Sequence, residues 1–216
     1  MQGESLAEAT VGPRGIAGDR SWAVYTADGG IGSGKTTRRF RRVDGLLMFT
    51  SWIDQAGPVV EFPDGSRHRV DDPATARRLS EALGQQLELR TESSVRHHDE
   101  CPVHLVTTAA LNRLEHLRGE SIDMRRFRAN IVLDVQGSAF AEDAWEGRRL
   151  IVGEDVILQL GDGMPRCVMV GLPQTELGRD SRLPELIARY HYNELGLQAD
   201  VLRGGTIYQG DVVRLL

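Results

Sequence analysis

The segments able to form strands are short, numerous and closed off by turn residues, and this constrains the chain more than any other feature. Ser21–Tyr25 alternates apolar and polar side chains and runs into Asp28-Gly29-Gly30, the pattern of a strand meeting a turn. Val59–Phe62, Pro63-Asp64-Gly65-Ser66 and Arg67–Val70 read as a β-hairpin, with Gly65 giving the turn its backbone freedom. His104–Thr107, Asn130–Leu133, Leu150–Val152, Val156–Leu160 and Asp211–Leu216 are further short strands.

Helical signals are fewer. Asp72 is placed to cap a helix opened by Pro73 and stopped by Gly84, with Ala76, Leu79 and Leu83 on its buried face. Thr108 is placed to cap a second, whose Leu111, Leu114 and Leu117 fall near one side, and Pro184–Tyr190 predicts a third. Many short strands with few helices predict an α+β, mainly β fold built on a closed or strongly curved sheet, not a βαβ array.

The chain has 216 residues, 40% of them hydrophobic, enough for one large domain or two small lobes sharing a core, and one compact unit is expected. A net charge of −5 gives no general attraction to nucleic acid or anionic membrane. Any anionic ligand must therefore be gripped locally, and the basic residues are clustered: Lys35 with Arg38, Arg39, Arg41 and Arg42, then Arg125, Arg126 and Arg128. Two cysteines make no disulfide framework, no segment is long enough to span a membrane, and the first residues lack a secretory signal. The expectation is a cytoplasmic protein.

Gly29–Thr36 satisfies the P-loop pattern G-x-x-x-x-G-K-[ST]. A phosphate-binding P-loop needs a helix directly after the Thr, yet Thr37-Arg38-Arg39-Phe40-Arg41-Arg42 follows. Nucleotide hydrolysis is not expected, although Lys35 and the arginines stay credible ligands for another phosphate. His97–His104 gathers zinc-ligating residue types without a second ligand pair and reads as a polar loop entering a strand. Glu142-Asp143 could serve acid–base chemistry, or simply form a turn that anchors Trp145. Cys167 follows Arg166 at the exit of an apolar segment. It could be a metal ligand, a sulfur carrier or a small buried hydrophobe.

Gly15–Trp22, the basic stretch ending Phe40-Arg41-Arg42, the helix from Asp71 to Gly84, Pro102–Thr108, Arg126–Ile131, Phe140–Trp145 and Pro165-Arg166-Cys167 occur in a telling order. In that order they resemble the MOSC family, the domain found at the C-terminus of molybdenum-cofactor sulfurases and in mitochondrial amidoxime-reducing components and their bacterial relatives. The resemblance implies an N-terminal β-barrel-like lobe over residues 1–90 and a MOSC-like β-barrel core with peripheral helices over residues 91–216. It also implies that Cys167 is the thiolate bound to molybdenum beside the dithiolene of molybdopterin. Lys35, Thr107, Thr108, Arg126, Arg128 and Asn130 match family positions that bind the pterin and its phosphate.

The function so implied is a molybdenum-cofactor-dependent oxidoreductase acting on small N-hydroxylated compounds by oxygen-atom transfer and reset by an external electron-transfer protein. Two alternatives are a sulfur-transfer or cofactor-carrier protein using a Cys167 persulfide, and a cofactor-free binding module on the same fold. No flavin, Fe–S or pyridoxal phosphate role is expected. Three departures from the family pattern stand out. Pro165 occupies the place of a frequent second cysteine, Ala129 replaces a frequent proline, and the strand and Pro-Val-Lys-Ser segment usual before Gly3-Glu4 do not precede it here. The expectation is either a homodimer formed through the exposed sheet edge or a chain beginning at an internal methionine of a longer protein.

Overall fold

A computed structural model describes residues Met1–Leu216. Its strands are β1 Glu8–Gly12, β2 Gly15–Ile16, β3 Trp22–Thr26, β4 Ile31–Ser33, β5 Phe40–Arg42, β6 Thr50–Asp54, β7 Gly57–Glu61 and β8 Arg67–Arg69. They continue with β9 Leu87–Thr91, β10 Val103–Thr107, β11 Ile131–Leu133, β12 Arg149–Val152, β13 Val156–Pro165, β14 Glu194–Arg203, β15 Gly205–Tyr208 and β16 Val213–Leu215. Three α-helices, α1 Pro73–Leu83, α2 Thr108–Arg118 and α3 Arg182–His191, complete a mainly β fold.

The chain forms two compact units that interleave along the sequence. One comprises Met1–Ser5, Arg20–His97 and Gly171–Ser181; the other comprises Leu6–Asp19, His98–Val170 and Arg182–Leu216. The segment Leu6–Asp19 thus joins the unit built mostly from the second half, while Gly171–Ser181 returns to the first.

In the first unit, a sheet of order β5-β4-β3-β9 and a meander β6-β7-β8 share one core. Val24, Val43, Phe49, Val60, Phe62, Leu79 and Leu87 fill it. Helix α1 forms for local reasons: the Asp72 carboxylate accepts from Ala74 N at 2.8 Å, Pro73 follows, and Gly84 ends the helix in left-handed backbone. Its buried residues are Thr75 and Leu79, while Ala76 is only half-buried. Gln2 makes a single parallel bridge to Thr50, donating its N–H to Phe49 O at 2.7 Å.

In the second unit, six strands in the order β11-β10-β14-β13-β12-β16 curl into a half-barrel. Only the β10–β11 pair is parallel. A three-stranded sheet, β15-β1-β2, adds Val11 to the core made by Leu105, Leu150, Leu158, Leu160 and Leu197. The other face packs against α2 and α3 through Val106, Leu114, Phe127, Leu183, Ile187 and Leu195. Strand β10 is buried along its whole length, which explains why its apolar residues run on without alternation.

Boundaries differ from the sequence expectation in two places that matter for the site. Strand β13 continues past Leu160 to Pro165, because β14 pairs with it as far as Pro165↔Glu194 across two register shifts. The cap of α2 is Thr107, not Thr108. Thr107 Oγ1 accepts from Ala110 N at 3.1 Å, whereas the Thr108 hydroxyl is held by Asp134 and Val135.

Candidate functional site

Strand β13 delivers Cys167. Pro165 is the last paired residue of that strand, and Arg166 N then donates to Asn193 O at 2.6 Å. Cys167 follows as an exposed thiol, ahead of a short 3-10 turn at Val168–Gly171. The reading of Cys167 as a small buried hydrophobe therefore does not hold.

The side chain of Arg166 anchors this corner. Its Nη2 donates to Leu195 O at 2.6 Å and to His104 Nε2 at 2.5 Å, and its Nη1 donates to Phe127 O at 3.1 Å. Its guanidinium also stands 5.6 Å from the centre of the Phe127 ring. Burial pushes Arg166 down to about 9 from its ordinary value, while the negative charge of the Cys167 and Cys101 sulfurs pushes it back up. A cation is thus held at the root of Cys167, where it complements the anionic form in which sulfur ligates metals. Because His104 Nε2 accepts, the ring carries its proton on Nδ1.

Gly196 makes this arrangement possible. A Cβ there would stand 2.1 Å from Leu105 O and 3.0 Å from His104 Nε2. With φ at +73°, only glycine lets β14 approach β10 this closely.

The second basic knot lies on the same unit. Asp123 caps the 3-10 turn Met124–Phe127, and Arg126 within it is buried, its Nη1 donating to Val170 O at 3.4 Å. Arg128 ends the turn in left-handed backbone with φ +53° and is half-buried. The Cys167–Val170 corner is therefore stitched to this turn twice, by Arg166 onto Phe127 and by Arg126 onto Val170.

The remaining matched positions are more committed to the fold. The Asn130 Oδ1 accepts from His104 N at 3.0 Å and its Nδ2 donates to Asp19 Oδ2 at 2.9 Å. Thr107 is fully buried and donates to Glu142 Oε2 at 2.7 Å. Thr108 is half-buried beside it. Lys35 belongs to the first unit, between β4 and β5, with its Nζ 5.8 Å from the centre of the Phe40 ring.

Glu142, singled out in the sequence with Asp143 as a carboxylate pair or a turn anchoring Trp145, is a buried carboxyl bonded to Thr107. Its side chain is fully buried, Oε1 has no partner, and burial raises its pKa despite the Thr107 hydrogen bond that lowers it. Beside it, Asp143 accepts from His191 Nε2 at 2.8 Å, and Phe140 stacks on the His191 ring at 3.9 Å. The motif contributes a buried carboxyl, while Trp145 is only half-buried against the core.

Two other sequence motifs resolve into structural roles. No helix follows Thr36; β5 does, pairing parallel to β4, so the P-loop pattern has no helix N-terminus to offer. His97 donates from Nδ1 to Arg20 O and accepts the Tyr25 hydroxyl at 3.1 Å. His104 serves Arg166 instead, and no three His, Cys, Asp or Glu side chains form a metal cage.

That donor set fits a metal which brings ligands of its own. One exposed soft donor, Cys167, stands beside a fixed cation, and the neighbouring turn offers guanidinium forks suited to a phosphate. A bare ion would lack the further protein ligands it needs.

The profile of the MOSC domain matches residues 92–214. No curated protein sequence matches the chain. The YUAD protein from Bacillus subtilis superposes over 98% of this chain and 86% of its own, with a TM-score of 0.52 and 15% identity, and so shares the fold. YiiM from Geobacillus stearothermophilus aligns over 54% of this chain and 54% of its own length, with a TM-score of 0.43 and 18% identity. With the profile covering more than half of the residues, including the strand that carries Thr107 and the corner that carries Cys167, this chain belongs to the MOSC domain family.

Proposed function

We propose that the protein is a molybdenum-cofactor-dependent oxidoreductase that reduces small N-hydroxylated compounds, with Cys167 as its thiolate ligand. Family membership supports a molybdenum-cofactor-related role in general. The observation that carries the finer reading is the exposed Cys167 thiol set beside the anchored guanidinium of Arg166. When bound, the cofactor would supply a two-electron centre able to take oxygen from an N–O bond, with an external protein as electron donor.

The chain's own residues do the holding. Cys167 presents sulfur from the end of a strand, and Arg166 keeps positive charge at its base. Arg126 and Arg128 would offer guanidinium donors to a phosphate and Asn130 its remaining N–H to a pterin edge, while the Thr108 hydroxyl is committed to Asp134 and Val135. Thr107 acts indirectly by fixing the start of α2.

The test is expression in a molybdenum-replete host, then molybdenum and pterin quantification and reduction of an N-hydroxylated substrate by a chemical donor. Near-stoichiometric cofactor with turnover lost in Cys167→Ser is expected. Absence of molybdenum, or unchanged turnover in that variant, refutes the reading. The exposure of Cys167 also suits a sulfur carrier. Cyanide-releasable sulfur on Cys167 without reductase activity would establish that second reading.

A further inference from the structure

The first unit carries a cleft of about 430 Å³ that has no part in the site above. Arg38, Arg39, Arg41 and Arg90 line it, and Asp28 is its one carboxylate. We propose that this cleft is a second anion site, which binds a compact ligand carrying two adjacent phosphates.

Three of the four guanidiniums are held in place before any ligand arrives. Arg41 donates from Nε to Asp28 Oδ2 at 2.5 Å and from Nη1 to the carbonyls of Thr37 and Phe40, both at 3.1 Å. Its side chain lies across Gly30, where a Cβ would stand 2.3 Å from Arg41 Cγ. Any other residue at position 30 would lift it off. Asp28 is itself fixed by the Thr26 hydroxyl and Gly30 N; the Thr26 and Arg41 bonds lower its pKa to about 2, so the clamp stays charged.

Arg90 lies over the Tyr25 ring at 4.6 Å and donates to Glu88 Oε2 through both Nε and Nη2. Its Nη1 remains for a ligand. Arg39 is tied back by a hydrogen bond to Arg96 O and by the Phe40 ring, and Arg38 stands exposed on the preceding loop. Set against four guanidiniums, Asp28 and Glu88 leave two positive charges in a protein whose overall charge is −5.

The chemistry selects the ligand class. Guanidinium forks match phosphate oxygens two at a time. Arg38 keeps a whole fork, while Arg41 and Arg90 each keep one terminal nitrogen, so donors reach the cleft from the Arg38–Arg41 segment and from β9; two linked phosphates can take donors from both sides at once. Tyr25, the aromatic residue of the lining, is buried with Arg90 over its ring and so offers no stacking surface to a nucleobase. The ligand is therefore read through its phosphates.

Titration calorimetry on the purified full chain tests this with sodium pyrophosphate, ADP and orthophosphate as separate probes. Pyrophosphate and ADP should bind with similar affinity, and orthophosphate at least about tenfold more weakly. Arg38→Glu, at an exposed position, and the double variant Arg38→Ala/Arg90→Gln should each weaken pyrophosphate by about tenfold or more with unfolding midpoints unchanged. No pyrophosphate binding, unchanged binding in the folded variants, or orthophosphate binding equally well overturns the proposal. ADP binding about tenfold tighter than pyrophosphate overturns recognition through phosphates alone. Repeating the titration on molybdenum-loaded protein separates the two sites: retained affinity supports independence, and lost affinity assigns the cleft to the cofactor. Failure to load molybdenum would sink the oxidoreductase reading and leave this result standing.

Discussion

Arg166 Nη2 lies 2.5 Å from His104 Nε2, one residue before the exposed cysteine. The guanidinium thereby joins β10, β14 and the Phe127 turn through one side chain. Arg166→Ala should destabilise the protein by about 2–4 kcal/mol, because it orphans several acceptors at once. Arg166→Lys should recover little, since an ammonium lacks the fork. Urea unfolding measures both, and a loss under about 1 kcal/mol for Ala would contradict the anchoring role.

The two cysteines should differ sharply in reactivity. Cys167 is exposed, whereas Cys101 is half-buried and donates to Val103 O at 3.0 Å. Brief treatment with iodoacetamide followed by peptide mass mapping should label Cys167 first. Cys167→Ser should shift stability by no more than about 0.5 kcal/mol, as expected at an exposed site. Preferential labelling of Cys101 would mean that the corner is closed in solution.

Glu142 makes stability depend on pH with a definite sign. Its native pKa is raised above the ordinary value of 4.5, so the folded state holds its proton longer than the unfolded chain. The stability this contributes is fully present below the unfolded value and is lost as pH rises through the native one. Glu142→Gln cannot ionise, and its unfolding free energy should be flatter than wild type from pH 4.5 upward. Parallel profiles for the two proteins would show that the carboxyl is not held neutral.

At Arg128, stability and cofactor binding should separate. The residue sits in left-handed backbone, a conformation that costs a side chain about 1 kcal/mol and glycine almost nothing. Arg128→Gly should raise the unfolding free energy by about 0.5–1 kcal/mol while lowering bound pterin. A variant equally stable and equally loaded would show that the arginine contributes neither strain nor binding.

Helix α1 illustrates what can be read locally. Asp72, Pro73 and Gly84 each act within one turn of the helix, and both observed ends lie where those residues place them. The β7–β8 hairpin was legible for the same reason. Strand β13 was legible only as far as Leu160, because Gly161-Asp162-Gly163 carries no strand signal, and β14, some thirty positions later, supplies the pairing that extends it. The α2 cap moved to Thr107 because Asp134 and Val135, distant in sequence, take the Thr108 hydroxyl.

The same division runs through the candidate site. Residue types in a fixed order were enough for the fold class, the family resemblance and the singling out of Cys167. That Cys167 is exposed, that Arg166 and His104 meet behind it, and that Glu142 is buried against Thr107 emerges with the folded chain. Burial and hydrogen-bond partnership are set by strands far apart in the chain, so no local pattern encodes them.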